Sequence, residues 1–136
     1  MRILLLGAMP KNKERKALYE LIESVCREFS HDFSSPIDTA KFKGTDKERY
    51  IKALDKVRRA DFIVGEQSEP STGQGIEIRE AAVLNKPLLV IARSRSEISG
   101  LVKGCPILKK IIYYKGIADL ESQLRHFFSN YASFTS

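Results

Sequence analysis

The chain contains few of the residues that bind metals or form disulfide frameworks. Its 136 residues include only two cysteines and two histidines, and neither pair has a CxxC, HxxxH or HExxH spacing. Structural zinc sites use about four such ligands, and small secreted scaffolds use several cysteine pairs. We therefore predict no metal, no cofactor and no disulfide, and we expect Cys26 and Cys105 to be reduced thiols of a cytoplasmic protein.

Long apolar runs are also lacking. A membrane-spanning helix needs roughly 20 consecutive apolar residues, and no run in this sequence approaches that length. The opening MRILLLGAMP has an apolar stretch too short for the core of a signal peptide, and it leads into a lysine-rich segment. We interpret this opening as a first β-strand and expect no interaction with membranes.

Aromatic residues do not interleave with the basic ones. The formal charge is +6, from 23 Lys and Arg against 17 Asp and Glu, and the basic residues are scattered along the chain. Proteins that bind single-stranded nucleic acid combine basic grooves with aromatic stacking platforms. Nucleic acid is therefore not the expected partner, whereas the positive balance suits a small anionic ligand.

The sequence does contain a regular alternation of strand and helix patterns. With 43% hydrophobic and 29% charged residues, its length suits one domain, which we place at residues 1–131 with a flexible C-terminal tail at 132–136. Strands joined by helical crossovers predict a three-layer α/β/α sandwich with a five-stranded parallel sheet, in the flavodoxin-like or Rossmann-like order 2-1-3-4-5. The predicted strands are 3–6, 32–34, 62–64, 88–92 and 111–114, and the predicted helices are 13–29, 46–59, 76–84, 97–103 and 117–131.

The most informative segment is ADFIVGEQSEPSTGQGIEIREAAVLNKPLLVIAR, residues 60–93. Pro70, Gly73 and Gly75 interrupt the chain between a buried strand and a helix that leads to a second buried strand. Glycines let a ligand approach the backbone, and the amides that open a helix attract anions. The segment therefore predicts a site for a small anionic or sugar-bearing molecule, with Glu77 facing it from the first helical turn.

Two loops should meet at this site, because ligands of open parallel sheets bind beyond the strand ends where the strand order reverses. These loops are residues 7–13 and 66–75. Ser71 could cap the helix or donate to a phosphate, and Gly73 and Gly75 could be turn formers or allow close approach. The helix dipole should keep Glu77 ionised, so that it could attack or stabilise an electron-poor anomeric carbon. A glutamate there could equally serve helix stability alone.

Several motifs together resemble the nucleoside 2-deoxyribosyltransferase superfamily, and most closely its 2'-deoxynucleoside 5'-phosphate N-hydrolase branch. They are ADFIVGE, PSTGQGIE, NKPLLVIAR and ISGLVKG within residues 60–104, while LLLGAM and ALYELI are similar to the family's opening glycine loop and following helix. The resemblance touches about two-thirds of the chain. It implies that residues 1–131 form a nucleoside 2-deoxyribosyltransferase-like domain.

The resemblance also implies roles for individual residues. Glu77 falls on the family's nucleophile, which attacks C1' of the deoxyribose, displaces the base and forms a glycosyl-enzyme ester that water opens to deoxyribose 5-phosphate. The other implied contacts are the 5'-phosphate or 5'-hydroxyl loop (Ser71, Gly73, Gly75), the sugar and base loop (Gly7, Ala8, Met9) and the phosphate of a neighbouring subunit (Ser99). The implied assembly is a homodimer that acts on a nucleoside monophosphate or a related small molecule.

Two departures from the family pattern keep other functions open. Ala53 stands where the hydrolases have an aspartate that assists base departure, and Asp55, two residues further along a helix, is rotated by roughly 200°. The first loop reads GAMPKN where the hydrolases resemble GSIRGG, although Lys11 or Lys13 could supply positive charge. A catalytically weakened nucleotide sensor or interaction module, a deoxyribosyltransferase and a phosphoribohydrolase are the alternatives. A receiver domain is excluded because no acidic pair follows the first strand.

Overall fold

The computed structural model describes residues 1–135, and it describes side chains as far as Tyr131. Its elements are β1 (Arg2–Leu6), α1 (Lys13–Cys26), β2 (Asp32–Ser34), α2 (Pro36–Ala40), α3 (Asp46–Arg59), β3 (Phe62–Glu66), α4 (Thr72–Val83), β4 (Leu88–Arg93), α5 (Gly100–Lys103), β5 (Leu108–Tyr114) and α6 (Ile117–Thr135). The five strands form one parallel sheet in the order β2-β1-β3-β4-β5. The predicted α/β class, parallel sheet and strand order are therefore confirmed.

Helices cover both faces of the sheet, because strand side chains point alternately to opposite sides. One apolar cluster joins Leu5, Val64 and Ile91 of the sheet to α1 and α6. The other joins Leu6, Ile63 and Val90 to α3 and α4, together with Ile98 and Ile107. Both faces of the central strands are buried, as parallel sheets require.

Several predicted boundaries differ from the observed ones. Helix α1 ends at Cys26 rather than at residue 29, α5 begins at Gly100 rather than at 97, and β3 and β5 are longer than predicted. Helix α6 extends to Thr135, so the backbone of residues 132–135 in the predicted tail is helical, and Ser136 lies outside the described residues. Helix α4 begins at Thr72 rather than at residue 76, and this difference affects the site.

No helix or strand was predicted between residues 34 and 46, but this segment contains helix α2. The N-cap is Ser35, whose side chain accepts a hydrogen bond from the backbone N–H of Ile37, while the Asp38 carboxylate accepts one from the backbone N–H of Ser35. Pro36 occupies the first turn, where its missing N–H costs nothing. Such a reciprocal cap is a recognised helix start, and it specifies a helix of only five residues here.

Two classes of feature are absent from the part of the chain that the structure describes. No helix in residues 1–135 combines the length and the apolar character that crossing a membrane requires. The same residues contain no group of three or more His, Cys, Asp or Glu side chains that could hold a metal ion.

Candidate active site

A cavity of about 490 Å³ lies beyond the carboxyl ends of β1 and β3. Its volume is in the range of small-molecule sites. Six of the eight predicted site residues line it: Gly7, Ala8, Met9, Ser71, Gly73 and Glu77. Pro36 and Thr39 of α2 line it as well, so the helix that was not predicted contributes part of the wall.

The first loop is held in place by a tyrosine from α1. The hydroxyl of Tyr19, which is fully buried, donates a hydrogen bond to the carbonyl of Ala8. Burial raises the pKa of Tyr19, which keeps this hydroxyl protonated and able to donate. A side chain at Gly7 would collide with the same ring, because a Cβ there would lie 3.0 Å from Tyr19 Cζ. Gly7 therefore allows the loop to lie directly on Tyr19.

The second wall is the start of α4. Ser71 is the N-cap, and its Oγ accepts a hydrogen bond of 3.2 Å from the backbone N–H of Gln74. Capping is therefore an observed role of Ser71, and its hydroxyl hydrogen can still donate to a ligand in the cavity.

Gly73 and Gly75 are not turn formers, because both lie inside α4 and no glycine within residues 1–135 has a positive φ. A Cβ at either position would meet no atom within 4 Å. Gly73 lines the cavity, so the absence of its side chain exposes the backbone to a ligand there, whereas Gly75 is not among the cavity-lining residues.

Helix α4 contributes one carboxylate to the wall of the cavity, that of Glu77. Its side chain is partly buried, and within residues 1–135 no side chain forms a hydrogen bond or ion pair with it. Burial raises its pKa from 4.5 to about 7, and the positive charge of Lys56 partly opposes this rise.

The predicted electrostatic environment of Glu77 is therefore wrong in one respect. Because α4 begins at Thr72, Glu77 is its sixth residue and lies beyond the first turn. The helix dipole acts mainly within the first turn, so burial dominates and favours the protonated form. At neutral pH Glu77 is therefore ionised in some molecules and protonated in others.

Lys56 of α3 interacts electrostatically with Glu77 and with the carboxylate of Asp38. Burial lowers the pKa of this lysine, and the charges of Asp38 and Glu77 act in the opposite direction. The lysine stands three residues after Ala53, where the family resemblance would place an aspartate. Asp55 forms an ion pair of 2.9 Å with Arg59, and it is not among the residues that line the cavity. No carboxylate of α3 therefore replaces the one missing at position 53.

The cavity is also lined by an arginine that was not among the predicted site residues. Arg15 lies in the first turn of α1, its side chain is 12% exposed, and it lines the cavity. Its Nη2 lies 2.6 Å from Oε1 of Glu69, and its Nη1 donates a hydrogen bond of 3.3 Å to the Tyr19 hydroxyl. Lys13 and Lys16 stand at the same helix start, so the sequence alone does not single out Arg15.

A buried polar network fixes the end of β3 beneath the second loop. Glu66 is fully buried and accepts hydrogen bonds from the backbone N–H of Ser68 (2.6 Å), the Ser68 hydroxyl (3.0 Å) and the Tyr114 hydroxyl (2.6 Å). Ser68 Oγ in turn accepts from the backbone N–H of Arg93 at 2.8 Å. The network joins the ends of β3, β4 and β5, so it positions the loop that leads to α4.

A second buried pair lies between this loop and α4. The Gln67 amide donates to Oε1 of Gln74, and both side chains are buried. Gln74 also lines the cavity, and its Nε2 is the one fully buried side-chain nitrogen or oxygen without a hydrogen-bond partner in the part of the chain described. Its carbonyl side approaches Gly65, where a Cβ would lie 3.4 Å from Gln74 Oε1.

Ser99 lies apart from the cavity. It is the exposed N-cap of α5, and its Oγ accepts a hydrogen bond of 3.2 Å from the backbone N–H of Leu101. It is not among the residues that line the cavity with Glu77. The predicted contact of Ser99 with the phosphate of a neighbouring subunit therefore stays a prediction.

Comparison with known proteins identifies similar chains. No family model matches the sequence. The chain is 26% identical over 135 residues to the 5-hydroxymethyl-dUMP N-hydrolase of Mus musculus, an alignment that covers 92% of this chain and 78% of that protein.

Two solved structures share the fold. The CMP N-glycosidase of Clostridium botulinum matches with a TM-score of 0.71 and 20% identity, over 93% of this chain and 99% of that one. The 2-deoxyribosyltransferase of Bacillus psychrosaccharolyticus matches with a TM-score of 0.66 and 21% identity, over 91% and 96%. The chain is therefore a distant homologue of nucleotide N-hydrolases, and it shares its fold with a nucleotide N-glycosidase and a 2-deoxyribosyltransferase.

Proposed function

We propose that this protein is a hydrolase that cleaves the N-glycosidic bond of a nucleoside or deoxynucleoside 5'-monophosphate, with Glu77 as the nucleophile. The observation that carries the proposal is the placement of Glu77. It presents an unpaired, partly buried carboxylate to a cavity that is also lined by the opening of α4. Proteins similar to this chain include enzymes that are named for this reaction on particular nucleotides.

The proposed reaction has two steps. A carboxylate oxygen of Glu77 forms a bond to C1' of the sugar as the C1'–N bond breaks, and the base leaves with the electron pair of that bond and takes a proton from solvent. Water then attacks C1' of the glycosyl-enzyme ester and loses a proton to solvent as the C1'–O bond to Glu77 breaks, which releases the sugar 5-phosphate and regenerates the carboxylate. Only the ionised form of Glu77 can attack, so its raised pKa sets the fraction of competent enzyme.

The opening of α4 suits the phosphate. Backbone N–H groups at a helix start are unpaired within the helix and favour anions, and Ser71 adds a hydroxyl next to them. The bare backbone at Gly73 allows an oxygen atom to approach closely. We assign Ser71 and Gly73 to the phosphate side of the cavity, and Gly7, Ala8 and Met9 to the sugar and base side. Gly75 does not line the cavity, and its backbone N–H donates to the Ser71 carbonyl at 3.2 Å.

A homodimer is part of the proposal. Helices α3, α4 and α5 lie on the same side of the sheet and expose large apolar side chains, namely Tyr50, Ile51, Ile76, Val83 and Leu101. Leu101 is 90% exposed and lies two residues from Ser99. Association through this side would bury these side chains and bring Ser99 of one subunit toward the phosphate bound by the other.

One observation favours a second candidate, a nucleotide-binding module with little or no hydrolysis. Position 53 carries no acid, and Asp55 is paired with Arg59 instead. A general acid that assists the leaving group contributes about 10²-fold to 10⁴-fold to a rate. Without one, the same cavity could retain a nucleotide without cleaving it at a useful rate.

The test incubates the wild-type protein and Glu77→Ala with a panel of nucleoside 5'-monophosphates. Chromatography then measures the free base that each protein releases. We expect free base from at least one monophosphate and none from the variant. Saturable binding with no base release would replace hydrolysis by the binding module. Efficient exchange of a free nucleoside's base for an added base would identify a deoxyribosyltransferase instead.

A further inference from the structure

Arg15 is the best-placed cation of the cavity that the proposed reaction does not use. Two basic side chains line the cavity, Lys11 and Arg15, and of these Lys11 is exposed whereas Arg15 is largely buried. Tyr19 positions the guanidinium in two ways. The Tyr19 hydroxyl accepts a hydrogen bond from Arg15, and the Arg15 Cζ lies 5.9 Å from the centroid of the Tyr19 ring. A pre-positioned guanidinium is better suited to phosphate than a mobile ammonium, because its planar fork can form two parallel hydrogen bonds.

The partner of Arg15 is held much less firmly. The Glu69 side chain is 67% exposed and belongs to the loop before α4. Its carboxylate contacts Arg15 Nη2 at 2.6 Å, and Glu69, like Arg15, lines the cavity. Ion pairs with such an exposed member contribute little to stability, since solvent and salt screen them. A stronger anion in the cavity could therefore take the place of Glu69.

We infer that Arg15 binds the phosphate of the substrate and that Glu69 occupies the guanidinium until phosphate displaces it. The inference rests on the proposed function in one respect, which is that the substrate is a phosphate ester. A phosphate monoester carries about two negative charges near neutral pH and offers three acceptor oxygens, so it exceeds a single carboxylate in both respects. Arg15 would then face the opening of α4 across the cavity, with phosphate between them.

If the ion pair between Arg15 and Glu69 were purely structural, loss of Glu69 would have the opposite effect on phosphate binding. If the pair with Arg15 simply anchored the loop before α4, loss of either partner would loosen the loop and weaken binding. If Glu69 competes with phosphate, loss of Arg15 weakens binding but loss of Glu69 strengthens it. The sign of the Glu69 effect therefore separates the two roles.

The experiment measures the Kd of ribose 5-phosphate and of inorganic phosphate by calorimetry or NMR titration. We expect Arg15→Gln to weaken both by about 10-fold or more, Arg15→Lys to have an intermediate effect, and Glu69→Gln to strengthen both by about 3-fold to 10-fold. Glu14→Gln is the matched control, since it removes one negative charge from an ion pair with Arg93 beside the cavity and should change the Kd by less than about 2-fold. Circular dichroism and thermal unfolding establish that each variant is folded.

Weaker binding in Glu69→Gln, an unchanged Kd in Arg15→Gln, or no measurable phosphate binding by the wild-type protein and Glu69→Gln would overturn the inference. Its failure is distinguishable from failure of the proposed function, because these probes contain no glycosidic bond. Opposite effects at Arg15 and Glu69 without base release would leave the inference in place and remove the hydrolase. Base release that depends on Glu77, with no effect at Arg15, would do the reverse.

Discussion

Replacing Glu77 with glutamine should stabilise the protein at alkaline pH. The folded-state pKa of Glu77 is about 7, above its usual 4.5, because burial disfavours the charged form. A group whose pKa is raised by folding contributes stability that is fully present below the unfolded pKa and is lost as pH rises through the folded pKa. The wild-type protein should therefore lose stability between about pH 4.5 and pH 7 at this site, whereas a neutral glutamine should not.

The size of the effect follows from linkage. Each pKa unit corresponds to about 1.36 kcal/mol. A rise from 4.5 to about 7 therefore lowers the free energy of unfolding by about 3 kcal/mol once Glu77 is fully ionised. Some of that loss is already present at pH 5, and solvent in the cavity screens the charge. We expect the stability gain of Glu77→Gln over wild type to be about 2 kcal/mol larger at pH 8 than at pH 5.

The assay is urea unfolding of both proteins at pH 5 and pH 8, with the free energy of unfolding compared at each pH. All other titrating groups are common to the two proteins, so the difference between them isolates residue 77. Glu80→Gln, which removes a glutamate of the same helix outside the cavity, is the matched control. An equal effect of Glu77→Gln at both pH values would refute the assignment of a raised pKa.

Three further predictions concern binding and activity. The kcat/KM of base release should rise with pH up to about 7 and then level off, since only ionised Glu77 attacks; a profile that is flat from pH 5 to pH 8 would contradict this. Ser71→Ala should lower stability by about 1 kcal/mol through loss of the cap and should raise the Kd of monophosphates more than that of nucleosides; equal changes in the two Kd values would remove the phosphate assignment. Gly7→Ala should displace the Tyr19 ring, seen as altered tyrosine fluorescence, and should lower affinity for nucleotides about 10-fold; unchanged affinity and fluorescence would show that the loop tolerates a side chain.

The fold could be predicted because its signals are local and repeated. Every strand except β2 contains a short apolar run, and helix patterns separate most of the strands, so a parallel sheet with crossovers follows from the alternation. The start of α3 also has a local signal, because Thr45 is a residue type that favours the N-cap and its side chain accepts a hydrogen bond from the backbone N–H of Glu48. Helix α2 was missed because five residues show no apolar periodicity, although Ser35 and Asp38 carry its capping signature.

The electrostatics of the site could not be predicted in the same way. The glycines of Thr-Gly-Gln-Gly argue against a helix by propensity, yet the Ser71 cap starts α4 there and moves Glu77 beyond the first turn. The pKa of Glu77 then depends on burial and on Lys56, which lies on a different helix. Arg15 and Glu69 are 54 positions apart in the sequence, and only the fold brings them into contact.

The central claim is that Glu77 becomes covalently linked to the sugar. The most direct measurement is mass spectrometry of protein that is acid-quenched during turnover of a reactive 2'-deoxynucleoside 5'-monophosphate, followed by fragmentation of the peptide that spans residues 60–79. We predict a deoxyribose 5-phosphate adduct on Glu77 that is absent from Glu77→Gln. Base release at the same rate with this peptide unmodified, or with the adduct on Glu66 or Glu69, would contradict the account.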